Sequence, residues 1–443
     1  MTIRLSDQFT YYRLMRFVLP SIIMMIVTSV YSIVDGFFVS NLVGTSAFAA
    51  LNLIMPFLMA LGSFGFMIGT GGSALIAKTL GEGKAAKANQ YFSLLIYVTI
   101  AVGLILSAVG ILFLRPIAIL LGATDAILDD CVLYGRILLI SNTAFMLQNA
   151  FQSFLVTAEK PHFGLAISIL AGIVNVILDF LLIYVCHWGL AGAAIATAFS
   201  QILGACIPLV YFLLPNRSVL RLTKTHFDAR ALLQSSINGS SEMLTNISTS
   251  FVSMLYNFQL MAMAGENGVA AYGVIMYVNF IFMGFYFGFA VGSSPVISYH
   301  YGAENHQELS SLFRKSLVII SIAAITMTVL AEFFARPLSG LFVSYDAQLL
   351  EMTCQAFRLY ALSFLVAGFN IFGSAFFTAL NNGILSAAIS FLRTLVLQIA
   401  AILLLPLLFG LNGIWIALTV AEGLTLIVTV TLLCTKRKQY HYA

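Results

Sequence analysis

Charge is scarce in this chain. Lysine, arginine, aspartate and glutamate supply 9% of its 443 residues and mean hydropathy is +1.00, where soluble domains carry roughly 25% charged residues. An ordinary water-soluble globular protein is excluded. Cysteine is equally sparing: Cys131, Cys186, Cys206, Cys354 and Cys434 show no CxxC spacing, so neither a zinc site nor a disulfide framework is expected and no cofactor is implied. The six histidines, His162, His187, His226, His300, His306 and His441, fall at the ends of apolar stretches, in loops or in the tail. An intramembrane hydrolase or lipid transferase, which needs a His or Cys beside an acid at depth, is therefore disfavoured. The net charge of +4 is too small and too dispersed for a nucleic-acid surface.

What is plentiful is uninterrupted apolar sequence. No charged residue occurs from Gly36 to Ala77, and one membrane crossing takes about 20 apolar residues over about 30 Å. Uncharged runs and their breaks predict twelve spans, at 15–39, 48–77, 91–114, 132–157, 163–186, 190–214, 232–262, 269–297, 312–335, 352–379, 384–409 and 411–434. Runs this long predict helices, since barrel strands alternate over about 10 residues around a polar lumen. The expected class is an all-α integral membrane protein of twelve helices.

The chain also repeats itself. Arg115-Pro116 returns 221 positions on as Arg336-Pro337, and the same lag pairs Asp125 with Asp346, Ala49-Ala50 with Ala270-Ala271, and Gly189-Leu190 with Gly410-Leu411. Two six-helix repeats follow, with an amino-terminal lobe over 1–215, a polar linker over 216–230 and a carboxy-terminal lobe over 231–443. Basic residues set the orientation. Sixteen of the 21, among them Arg13, Arg16, Lys78, Arg217, Arg314 and Arg437, fall on the side that holds both termini. Arg115, Arg136, Arg336 and Arg358 fall on the other, which places both termini in the cytoplasm. Met1 to Arg16 is polar and the apolar segment after it is long enough to remain as a span, so no cleavable signal peptide is expected.

The repeats differ at their acids. Asp35 aligns with Tyr256 and Asp179 with Ala400. A carboxylate deep in a span costs on the order of 2.5–3.5 kcal/mol on insertion scales, so each needs a function or a partner. At about 1.5 Å per residue, Asp35 lies roughly 28 Å past Arg16 and Asp179 roughly 27 Å past Pro161, the same level in the outer half of the bilayer. Asn175 shares a helix face with Asp179, four residues before it, and Thr197 enters the same level from the next span. Together they offer hard oxygen ligands suited to a proton or a small cation. A buried Asp and Asn can also be interhelical glue, but such bonds average about 0.6 kcal/mol, too little to offset an ionised acid. Thr197 alone reads as a packing residue and counts only by its level.

Glu242 stands near the midplane, roughly 18 Å past Arg230. It fits either an acid facing a cationic substrate or a bonding partner within the Ser-rich stretch from Ser235 to Ser253. Gln148 and Gln152, one turn apart on the fourth span, read as cavity donors or as packing. Arg393 and Glu422 in the last two spans are expected to pair with each other, and Glu332 to be solvated near the outer end. Sixteen Met and 37 Phe suit an adaptable surface for apolar organic cations, although most will face lipid or core.

These residues resemble the multidrug and toxic compound extrusion (MATE) transporters. The resemblance is carried by Val30-Tyr31-Ser32-Ile33-Val34-Asp35-Gly36-Phe37-Phe38-Val39, by Ala49-Ala50 and Pro56, by Leu80-Gly81-Glu82-Gly83 with its counterpart Tyr301-Gly302-Ala303-Glu304, and by Asn175-Val176-Ile177-Leu178-Asp179. It covers essentially the whole chain and is nearest the bacterial Mep-type and DinF-type subgroup. It implies two six-helix lobes around a V-shaped cavity, no bound cofactor, and export of small-molecule drugs and organic cations against inward H⁺ or Na⁺. It also implies a bacterial plasma-membrane protein, probing no nucleic acid and working as a monomer in contact with lipid. The resemblance assigns Asp35, Asn175, Asp179 and Thr197 to the amino-lobe cation site, with Tyr31 as an aromatic neighbour. The pattern with a further acid on the tenth span is not met, since Tyr360 to Leu380 holds none. A lipid-linked sugar flippase of the same superfamily is the alternative, although flippases tend to have cationic cavities and here the deep residues are mainly acidic.

Overall fold

A computed structural model of the chain describes residues 3–216, 218–344 and 346–442; Arg217 of the linker lies outside the described residues. Among them every regular element is a helix. The first six spans are α1 (Tyr11–Phe38), α2 (Thr45–Gly81), α3 (Ala85–Leu120), α4 (Asp125–Thr157), α5 (Pro161–Asp179) and α6 (Gly189–Leu213). After the extended linker the chain forms a helical stretch of 74 residues, Ala229–Gly302, interrupted at Gly265 with φ 63° and ψ −152°. At 1.5 Å per residue a straight helix of that length would run to about 110 Å, more than three bilayer cores, so it folds back into α7 (229–264) and α8 (266–302). α9 (His306–Val343) follows. α10 comes in two segments, Ala347–Ala361 and Phe364–Ala379, bent 44° at the break. α11 joins Gly383–Phe391 to Leu397–Phe409 through a π turn, and α12 is Leu411–Tyr440. Counting the folded-back stretch as two and the bent pair as one, the described residues give the twelve expected spans.

The repeat is written in the backbone as well as the sequence. Gly44 and Gly265, Gly83 and Glu304, and Gly189 and Gly410 are each 221 positions apart, and all six residues adopt positive φ. Gly44 and Gly265 turn the chain between the first two spans of each repeat. No side chain would meet a neighbour there, so glycine is present for the backbone angle alone.

Between the two sets of six helices, the packing is tightest at the end that holds both termini. A Cβ on Gly239 of α7 would stand 1.8 Å from the Met67 carbonyl oxygen of α2, and one on Gly71 would stand 2.0 Å from that of Ser235. Gly81 meets Tyr299 and Gly302 meets Lys78 in the same way, while Gly288 and Gly292 of α8 press on Ile22 and Val18 of α1. Small residues let helices approach to backbone contact, the main source of association in lipid. The amino-terminal strap runs across this seam. The N–H of Leu5 donates to Glu159 (2.7 Å) in the α4–α5 turn, and that of Phe9 donates to Glu308 (2.8 Å) on α9. The Lys315 ammonium donates to the Phe9 carbonyl. Leu5 and Phe9 are buried, with the Phe9 ring edge-on to Phe17 and His300.

Candidate cation site

Asp35 lies one turn before α1 relaxes into a π turn over Val39–Val43, and Asp179 is the last residue of α5 before a π turn over Phe180–Val185. A π turn widens the helix and shifts the side chains that follow it, and such turns recur at functional sites. Asp179 is fully buried, Asn175 nearly so, and Asp35 is 9% exposed. The two carboxyls face each other, with the Thr197 hydroxyl of α6 turned toward Asp35. Asp35, Asp179 and Thr197 are thus brought together, and Asn175 lies one turn before Asp179 on α5.

Beyond one another, these oxygens have no hydrogen-bond partner among the described residues. Asp35 Oδ1, Asn175 Oδ1, both carboxyl oxygens of Asp179 and Thr197 Oγ1 are buried, with no hydrogen bond to any described residue outside this cluster. Buried polar atoms are almost always bonded, so five orphans in one place call for a positive partner. Two like charges about 4 Å apart repel by about 4 kcal/mol at an effective dielectric near 20. A shared proton or a small cation removes that repulsion and satisfies the orphan oxygens at once. Among the described residues no three His, Cys, Asp or Glu are grouped so as to hold a metal ion, and the set offered here is made of oxygens, a fit for H⁺ or Na⁺.

Two tyrosines border the site. Tyr31 is within electrostatic range of Asp35, and its ring lies over Gly172 of α5, where a Cβ would be 3.1 Å from the ring. Tyr134 of α4 is fully buried, its hydroxyl has no partner, and it lies within electrostatic range of both acids. Tyr134 carries no formal charge, so its sequence position inside the span 132–157 does not set it apart from the other tyrosines.

The remaining candidates lie elsewhere. Gln148 and Gln152 are buried on α4, with Gln148 packed where a Cβ on Gly204 of α6 would meet its amide at 2.7 Å. Glu242 on α7 is half-buried and is influenced by the charge of Arg393. Arg393 and Glu422 do pair, Nε to Oε1 at 2.7 Å, and Glu332 is partly exposed opposite Arg358.

A family model described as MatE matches residues 20–181 and 242–404, one segment in each half of the chain. The chain belongs to the MatE family. As such it is a membrane transporter and not an enzyme. The MatE chain is 26% identical over 418 residues to "Multidrug export protein MepA" of Staphylococcus haemolyticus (strain JCSC1435), covering 92% of this chain and 90% of that one. To the protein of the same name from Staphylococcus aureus (strain MRSA252) it is 25% identical over 417 residues, covering 93% and 90%. Its fold is similar to that of "Crystal structure of MATE in complex with MaL6", with a TM-score of 0.93, 21% identity and 98% of both chains covered. A structure described as an "Outward-facing conformation of a multidrug resistance MATE family transporter of the MOP superfamily" gives 0.92 at 21% identity, again over 98% of both chains.

Proposed function

We propose that this MatE transporter exports small organic compounds, often cationic, in exchange for inward H⁺ or Na⁺ bound at Asp35, Asn175, Asp179 and Thr197. The observation that carries the reading is the set of five buried oxygens with no hydrogen-bond partner among the described residues outside their own cluster. An exchangeable cation there changes the charge inside α1 and α5 next to their π turns, where the helices are best able to bend. Export follows if the drug site and the cation site favour opposite conformations, a coupling of about 1–3 kcal/mol in typical cases. Glu242, Gln148 and Gln152 are proposed to face the transported compound, with Glu242 as the acid for organic cations.

Residues 1–215 and 231–443 act as two lobes joined by the linker at 216–230, and the transporter works as a monomer in a bacterial plasma membrane with no nucleic-acid partner. Both termini lie in the cytoplasm, as the distribution of Lys and Arg argues. On that orientation the glycine contacts of α1, α2, α7 and α8 close the cytoplasmic end, which makes this an outward-facing arrangement. Everted vesicles loaded with a fluorescent organic cation test the coupling under an imposed proton gradient or an imposed sodium gradient. Wild type is expected to respond to one of them, and Asp35→Asn and Asp179→Asn to neither. Gradient-driven export retained in both variants would refute the assignment.

A further inference from the structure

The carboxy-terminal repeat holds a charged constellation that the amino-terminal repeat lacks, and it is built in the opposite sense. Arg393 sits on the π turn Leu392–Val396 of α11 and is buried. Its guanidinium Nε donates to Glu422 Oε1 at 2.7 Å, and the second oxygen of Glu422 accepts from the Asn370 amide, also at 2.7 Å. Asn370 also donates to the Glu422 backbone carbonyl at 2.8 Å and accepts from the Thr429 hydroxyl at 2.8 Å. Every charge in the cluster is answered.

The lag of 221 shows what changed between the repeats. Arg393, Glu422 and Asn370 align with Gly172, Gln201 and Asn149. In the amino half, position 172 is a glycine under the Tyr31 ring, Gln201 accepts from Ser141, and the Asn149 amide nitrogen has no partner. Conversely, Asp35, Asp179 and Thr197 align with Tyr256, Ala400 and Leu418. In the carboxy half the register of Asp35 is filled by the buried ring of Tyr256, stacked on Tyr272 at 4.8 Å. Among the described residues one repeat therefore buries two acids and no Lys or Arg, and the other buries a cation fixed to the chain. Arg393 also acts on Glu242, and Tyr360 lies within electrostatic range of both Arg393 and Glu422.

We propose that Arg393 is a tethered counter-cation, a positioning residue that occupies in the carboxy half the role an exchangeable ion has in the amino half, so that ion exchange is confined to the Asp35–Asp179 site. The inference rests on the coupling reading above for the amino half, but its test is read at the carboxy half alone. Arginine cannot be deprotonated in a protein and its fork matches a carboxylate, so a guanidinium here holds Glu422 through the whole cycle with nothing to release. Removing one member of a buried pair leaves an uncompensated charge, whereas removing both is often neutral.

The experiment uses the purified full chain carrying Asp35→Asn and Asp179→Asn, which removes the two deep acids of the amino half. Saturable binding of radioactive sodium, proton uptake on acidification, and the unfolding midpoint in sodium chloride against choline chloride are measured together. The background is expected to bind no sodium and to melt alike in both salts. Adding Arg393→Gln creates a site, seen as sodium binding or extra proton uptake, with a midpoint that sodium or acid raises. Adding Glu422→Gln as well abolishes that site, and Arg393→Lys in its place behaves as the background. If Arg393→Gln does not fold, the Arg393→Gln/Glu422→Gln pair is expected to fold and to bind no ion; failure of both overturns the proposal. It is equally overturned if Arg393→Gln gains neither ion, or if the background already binds sodium in a manner that Glu422→Gln removes. Loss or retention of drug export in the Asp35→Asn/Asp179→Asn background bears only on the coupling reading, which keeps the two failures separate.

Discussion

Gly239→Ala isolates the seam between the two sets of helices. The added methyl would stand 1.8 Å from the Met67 carbonyl oxygen and 2.9 Å from its Cα, both backbone atoms of α2, so no side chain can swing away and one helix must retreat. Overpacking of this kind costs about 1–3 kcal/mol. If the seam exists only while this end is closed, the cost falls on that state alone. The equilibrium then moves about 5- to 150-fold toward the arrangement in which α2 and α7 part. Spin labels at Glu82 and Glu304, exposed turn residues on either side of the seam, report the opening as a longer distance between them. The exposed Cys186, Cys206 and Cys434 are first replaced. Gly273→Ala, where a Cβ meets nothing within 4 Å, serves as control and should leave the distances alone. An unchanged distance distribution in Gly239→Ala, with export at wild-type rate, would refute the idea that this close approach holds the end shut.

Tyr134→Phe removes a hydroxyl that bonds to no described residue but lies near both amino-half acids. Ion affinity is expected to fall by about 0.5–1.5 kcal/mol while the unfolding midpoint stays put; a lowered midpoint with unaltered ion dependence would make the residue structural. Glu308→Ala strands the buried N–H of Phe9, at a cost of about 1–3 kcal/mol. Hydrogen exchange over residues 5–9 should rise with it, and unaltered protection would show the strap is held otherwise. Burial pushes the Glu159 carboxyl up, opposed by the Leu5 N–H that it accepts. An acid raised in this way binds protons more tightly folded than unfolded, so its contribution improves as pH falls through the shifted range and is a constant cost above it. Glu159→Gln keeps an acceptor without the charge. It should melt above wild type near neutrality, with the gap closing below the ordinary carboxylate range; a gap independent of pH would contradict this.

Span number and the amino-half site were legible because both follow from one cost, that of polar groups in hydrocarbon. Twelve long apolar runs and two deep acids at equal depth are one-dimensional signals, and the fold could only bring Asp35 and Asp179 together if α1 and α5 were neighbours, which they are. The lag of 221 carried further than expected, down to the positive φ of Gly44 and Gly265. Other features left no such mark. The π turns after Asp35 and Asp179 depend on how the helices pack, and the break in α10 at Leu362 and Ser363 has no proline or glycine to announce it. Tyr134 and Asn370 are uncharged, so their importance appears only once the groups facing them are known. The strap is polar in sequence, and its burial follows from Leu5 and Phe9 finding a seam that the sequence does not describe.

The two repeats share the same hairpins, and on the coupling proposed above their divergence accounts for why only one of them would be driven. Had both halves kept paired acids, a cycle would have to fill and empty two sites in step, and any partial filling would bury an uncompensated charge. Had both acquired an arginine, no ion could be exchanged and no gradient could act. The chain has one of each: orphan oxygens around Asp35 and Asp179, and a closed Arg393–Glu422–Asn370–Thr429 chain in the other repeat. A closed network resists rearrangement because opening it exposes a charge to hydrocarbon, whereas orphan oxygens would change partners as an ion of the proposed exchange arrives or leaves. The asymmetry therefore predicts where motion begins. On the proposed coupling, α1 and α5, bordered by π turns beside Asp35 and Asp179, are expected to bend, while α11 and α12 are expected to move as a rigid pair.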